Sequence, residues 1–141
     1  MAVTFKDPKN VHLGGPMVRV NDLACSGEIT PGMLLERAGG VYQVHTADLH
    51  GPVTLALNVP ELNKTIDDVY ADGDLMFAGI FQAGSTGLAW LASGQNVADG
   101  ARLESAGAGK FKVLDNGVAL ARAIEAKDAT AGDARIRIEA I

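Results

Sequence analysis

SGEITPGMLLERAGGVYQV, running from Ser26 to Val44, is written twice in this chain. From Ser93 to Val113 the sequence reads SGQNVADGARLESAGAGKFKV. Ser-Gly opens both copies, a glycine follows (Gly32, Gly100), and three residues on comes Leu-Glu (Leu35-Glu36, Leu103-Glu104). Each copy then has a glycine-rich turn, Gly39-Gly40 or Gly107 to Gly109, and a short alternating run, Val41 to Val44 or Lys110 to Val113. The match continues downstream. Gly51 to Leu57 (GPVTLAL) answers Gly117 to Ala123 (GVALARA), and Gly73 to Phe77 (GDLMF) answers Gly132 to Ile136 (GDARI). Two copies are too few for a solenoid, which needs at least three. The order of the landmarks therefore predicts one β domain of two similar halves, residues 26–82 and 93–141, packed on each other by their apolar faces.

On either side of the repeat, turn chemistry and alternation supply about ten short strands. Pro31-Gly32 is a turn, with proline presetting φ and glycine free to take positive φ. Met33 to Glu36 and Val41 to His45 flank a hairpin turn at Gly39-Gly40. Val53 to Val59 alternates as a half-buried strand, Leu75 to Phe81 and Leu88 to Leu91 follow, and Val118 to Ala126 is an alanine-rich strand. Arg135 to Ile141 alternates cleanly, with Ile136 and Ile138 inward and Arg135, Arg137 and Glu139 outward. Only Pro60 to Asp72 has helical potential, one or two turns carried by Ile66, Val69 and Tyr70. The expected fold is mainly β: a compact β-sandwich or barrel-like domain with at most one short helix.

Composition narrows the function classes. The chain has 141 residues, enough for one domain with a usable core. Its net charge is −5, without a basic block or aromatic-basic interleaving, which argues against direct nucleic-acid binding. The single cysteine, Cys25, cannot form an internal disulfide. The N-terminal MAVTFKDPKN lacks the apolar core of a signal peptide. No apolar run approaches the ~20 residues of a membrane helix. A soluble protein made in a cytoplasm is expected, with no membrane partner.

Residues that could carry chemistry are scattered. His45 and His50 lie five apart in sequence and His12 stands alone, so neither metalloprotease spacing nor a cysteine cluster suggests a metal site. Asp67, Asp68, Asp72 and Asp74 lack the ordered ligand spacing of a calcium loop and are expected in a solvated turn. Ser85 and Ser93 adjoin glycines but sit outside a nucleophile elbow. Glu36 and Glu104 hold equivalent positions. They could be imagined as a carboxylate pair, but the plainer expectation is that each ends a strand on the solvent face. Trp90, the lone tryptophan, is expected in the core, and Cys25 is expected to be a small buried hydrophobe. No cofactor is called for, and the chain is expected not to be an enzyme.

Residues 1–25 look different, with Pro8, Gly14-Gly15-Pro16 and little periodicity, although Met17 to Val20 could pair as one strand; they suggest an extended N-terminal arm ahead of a β domain at 26–141. Within the chain, Ala71-Asp-Gly-Asp-Leu, Leu88-Ala-Trp-Leu-Ala-Ser-Gly-Gln-Asn-Val and Gly100-x-x-Leu-Glu-Ser-x-Gly-x-Gly-Lys resemble the capsid decoration (cement) proteins of tailed bacteriophages. Gly117-Val-Ala-Leu-Ala-Arg-Ala-Ile-Glu-Ala and the final Ala134-Arg-Ile-Arg-Ile-Glu strand also resemble that group, so the similarity runs from about Gly27 to the C-terminus. The resemblance implies a structural virion protein on the capsid exterior. Such a protein binds the expanded head, contacts the major capsid protein and cements neighbouring capsomers, commonly as a homo-oligomer, with a trimer preferred over a dimer. The arm would make the contacts, through Val11, His12, Leu13, Met17, Val18, Arg19 and Val20. Removing residues 1–16 is then expected to leave a folded domain with weakened capsid binding. The alternative from another class is a non-enzymatic small-ligand or carbohydrate-binding β module, for which two Tyr, one Trp and four Phe are a thin supply of stacking rings.

Overall fold

A computed structural model describes residues 8–46 and 52–141. It is mainly β, as the alternation and turn spacing require. The first half contains β1 (His12–Gly14), β2 (Met17–Val20), β3 (Leu35–Ala38), β4 (Val41–Val44), β5 (Val53–Ala56) and β6 (Ala78–Phe81). Between β5 and β6 the expected helical turns reduce to one 3-10 turn, Pro60–Leu62, closed by Asn63 in the left-handed conformation. The second half contains β7 (Thr86–Leu91), β8 (Asn96–Val97), β9 (Arg102–Gly107), β10 (Lys110–Val113), β11 (Ala121–Ala123), β12 (Lys127–Asp128) and β13 (Ala134–Ala140).

Each half closes on itself. In the second, β7 pairs with β10, β10 with β9, β9 with β11, β11 with β13, and β13 returns to β7. Closure removes the sheet edges within the ring. The first half repeats this circuit with thinner seams. β3 pairs with β4, β5 with β6 and β6 with β2. Single bridges, Leu34 to Leu55 and Cys25 to Tyr42, complete the ring. The Cys25–Tyr42 bridge is parallel, as is the Leu91–Phe111 contact that closes the second ring. Across one end of each barrel lies a further pairing, Ile29 with Tyr70 in the first and β8 with β12 in the second.

Hydrogen bonds fix the equivalence of the copies residue by residue. Ala56 N–H donates to Met33 O (3.0 Å) and Ala123 N–H to Ala101 O (2.8 Å); Leu57 N–H donates to Phe77 O (2.9 Å) and Ile124 N–H to Arg137 O (3.1 Å). Ala56 thus corresponds to Ala123, one residue on from the Arg122 opposite it in the sequence match. The repeat also begins earlier than Ser26. β2 pairs with β6 as β7 pairs with β13, placing Val20 where Gly87 stands in the second ring.

This revises the N-terminal arm. Residues 1–7 lie outside the described residues. Residues 8–25 are extended, but they are not free. β2 is the fifth strand of the first ring, and without it β6 would be left as an open edge. β1 lies antiparallel on β7 of the second barrel. Val11, just before it, is fully buried (0% exposed) in the core shared by the halves. Its N–H donates to Asn58 Oδ1 (3.0 Å), and its carbonyl accepts Leu88 N–H (2.8 Å).

Matching side chains fill matching places. Tyr42 and Phe111 occupy equivalent strand positions and both are fully buried, beside Leu35 and Leu103. Burial of one such ring contributes on the order of 1.5–3 kcal/mol. A second layer joins the barrels: Val11, Leu34, Val53, Leu55, Leu57 and Phe81 form one cluster with Leu91, Leu103, Phe111 and Ile136. That packing explains why Val53 to Val59 is buried at every position instead of on alternate ones. One face lines its own barrel and the other meets the second half.

Candidate functional site

Several side chains singled out in the sequence make structural contacts among the described residues. Cys25 is buried, its thiol donates to Ala71 O (3.0 Å), and burial pushes its pKa up, away from the reactive thiolate. Ser85 is fully buried and its hydroxyl donates to Pro16 O, tying the turn before β7 to the turn before β2. Ser93 receives no base; its N–H donates to Asp133 Oδ1 (2.8 Å). His12 sits edge-on to Phe81 (5.7 Å between ring centroids), with Nε2 at 2.9 Å from Gly15 O. His45 is buried, with Nδ1 at 2.9 Å from Ser105 Oγ. His50 lies outside the described residues. Among the described residues no three His, Cys, Asp or Glu side chains converge as metal ligands would.

The acidic cluster disperses into turns. Asp68 Oδ2 accepts Thr65 N–H (2.6 Å), Asp72 Oδ1 accepts Gly27 N–H (2.8 Å) and Asp74 Oδ2 accepts Ala71 N–H (2.8 Å). Glu36 and Glu104 correct the solvent-face expectation. They are 8% and 6% exposed. Glu104 Oε2 accepts the N–H groups of Asp115 (2.6 Å) and Gly117 (3.1 Å), and Lys112 Nζ lies 3.5 Å from Oε1. The two N–H donors, with Lys112 beside them, hold its carboxyl below the usual carboxylate range. Glu36 accepts Thr46 N–H at the corresponding place. Each carboxylate pins the loop that follows its hairpin. The shared position in the repeat was the available signal, and it marked a shared structural task.

Trp90 also departs from expectation. It is half-buried at the junction of the halves, where its Nε1–H donates to Pro31 O (3.0 Å) and Arg135 covers its ring at 4.4 Å. Arg135 donates in turn to Pro31 O (3.0 Å) and Ile66 O (2.5 Å). These bonds lock the second barrel to the first, and they leave the ring covered where a sugar would have to stack. Of the other described rings, Tyr42, Phe81 and Phe111 are buried, and Phe77 lies under Arg19 (4.6 Å). Tyr70 donates its hydroxyl to Leu57 O.

The residues expected to form an arm contact divide. Val11 faces its own core, His12 packs on Phe81, and Met17 and Val20 are half-buried against the first barrel. Leu13, Val18 and Arg19 are exposed, with Arg19 paired to Glu61. A second apolar area was not foreseen. Where the two barrels meet, Pro52, Ile80, Val118, Leu120 and Ile141 line a shallow groove of about 490 Å³. Val118 is 48% and Ile141 60% exposed. Ile80 is the cross-strand partner of exposed Val18, so the apolar surface continues from the groove onto β2. A polar hollow of about 480 Å³ lies near Lys9, Asn58 and Lys64, but the Asn58 amide is already engaged by Val11 and Asn10.

No helix among the described residues is long and apolar enough to cross a membrane. Comparison with protein-family models and with curated protein sequences gave no match.

Proposed function

We propose that this chain is a structural decoration protein of a tailed-phage head: a non-enzymatic module that binds the outer surface of the expanded shell and bridges neighbouring capsomers. The observation that carries this reading is the apolar groove at the junction of the barrels, with Val118 and Ile141 exposed at its rim. Contiguous exposed apolar surface marks protein–protein contact. The motifs of the duplicated half supply the resemblance that names the partner, the major capsid protein. The groove replaces the arm as the main shell contact, since the strand positions first given to the arm are committed to the barrels. Leu13 is left as an accessory contact. A sugar-binding module is the weaker reading, because the described aromatic rings are buried or covered.

The test is co-sedimentation with expanded, undecorated heads, with unexpanded shells as control. Saturable binding to expanded heads alone is expected. A Val118→Lys, Ile141→Glu double variant should fold normally and bind at least tenfold more weakly, since two charges must then be desolvated in the contact. Equal binding to both shells, or no binding at all, would overturn the proposal.

A further inference from the structure

β2 presents an open edge. The bond from Gln82 N–H to Pro16 O (3.3 Å) sets the phase of its ladder with β6, so Val18 and Val20 are the bonded partners of Ile80 and Ala78. In an antiparallel pair bonded and non-bonded positions alternate. The main-chain N–H and C=O groups of Met17 and Arg19 therefore point away from β6. Among the described residues no strand lies against them; β2 ends its sheet. The equivalent edge of the second barrel is filled, for there β1 lies antiparallel on β7 and Leu88 N–H bonds to Val11 O (2.8 Å). The same ring thus has the same edge covered in one half and bare in the other.

We propose that the bare edge joins two copies of this chain, β2 pairing antiparallel with β2 of the second copy about a twofold axis through Val18. The edge is self-complementary in that register. Met17 of each copy meets Arg19 of the other, and these are the residues whose main-chain groups point outward. About four N–H···O=C bonds form without disturbing either existing ladder. Val18 falls at the non-bonded pair on the axis, where the two Cα atoms approach to ~4.5 Å and the valine side chains touch. Like charges are kept apart, because Arg19 faces Met17 and its guanidinium is already held by Glu61 and the Phe77 ring. Val18 is 48% exposed in the single chain and continuous with Ile80. Pairing covers it and extends one apolar strip from groove to groove. The product is a continuous sheet, β5–β6–β2 followed by its symmetry mate, with two grooves on one face. An isologous contact of this kind closes at the dimer, in place of the trimer that the resemblance puts first. The inference concerns the purified protein alone and does not rest on shell binding, so either can fail without the other.

The experiment is sedimentation velocity combined with cysteine capture. The wild-type protein is expected to sediment at twice the chain mass as concentration rises. Val18→Lys is expected to sediment as the monomer with unchanged thermal unfolding. In a Cys25→Ala background, Val18→Cys should oxidise to a covalent dimer, because the non-bonded pair matches the Cα separation of a disulfide. Arg19→Cys, whose mate is Met17, should not. A monomer at every concentration would overturn the proposal and leave the edge to a strand from another protein. So would a dimer or trimer that survives Val18→Lys and leaves Val18→Cys uncaptured.

Discussion

Tyr70 and Glu104 make opposite statements about pH. Burial raises the Tyr70 phenol from its ordinary 10.0 to about 12. The unfolded chain ionises first, so this contribution is complete below pH 10.0 and is lost as pH rises towards 12. The stability gap between wild type and Tyr70→Phe should therefore shift against the wild type over that interval, as read by denaturant melts. Glu104 runs the other way. Its folded-state pKa is depressed, so its contribution is present above 4.5 and disappears as pH falls further. Wild type should outlast Glu104→Gln at neutral pH, and the two should converge in acid. Neither role could be read from the sequence. A glutamate in Leu-Glu-Ser or Leu-Glu-Arg carries no mark of the loop N–H groups it will meet, because Asp115 and Gly117 reach Glu104 only once the β9–β10 hairpin has formed. Cys25 was more legible, since a small thiol with no partner cysteine has packing as its usual fate.

At the scale of elements, the β hairpins were plain and the N-terminal strands were not. Gly39-Gly40 and Gly107-Ala108-Gly109 sit between alternating runs, and such turns demand positive φ, which all but one of these residues can adopt freely as glycine; Ala108 adopts it too (φ 52°). Met17 to Val20 could be read as able to pair as a strand, and β2 has those bounds, but it follows Gly14-Gly15-Pro16 and counts only four residues, so its partner was not legible locally. Its place is set by β6, sixty residues away, and by the need to close a ring. Deleting residues 1–16 removes β1 and the buried Val11, at a cost of about 1.5–3 kcal/mol for that side chain alone, which chemical denaturation of the truncated and full-length chains measures. A second test lies where β7 meets the first barrel. A Cβ added at Gly87 would come within 2.8 Å of Phe81 Cε2 and 3.1 Å of Leu55 Cδ1. Gly87→Ala should destabilise by about 1–3 kcal/mol, the usual range for overpacking.

For the whole molecule, duplication was the strongest signal and it carried the architecture. Landmarks kept in order across two copies predicted two similar halves, and the halves proved to be closed rings sharing one circuit. The outer surface was the illegible part. Val118 and Ile141 stand at the ends of strand-like segments, Ile141 on the outward side of its alternation, and nothing local marks them as sharing a groove; only the docking of one barrel on the other brings them together at a rim. On the proposed reading, two grooves on one face of a dimer would raise avidity for a repeating shell through effective concentration. Shell binding is read by titrating purified protein onto a fixed number of expanded heads and counting copies bound at saturation. A sharp plateau at a symmetry-compatible copy number is expected, lost on charging Val118 and Ile141. A non-saturating isotherm, or a plateau unmoved by those charges, would contradict it.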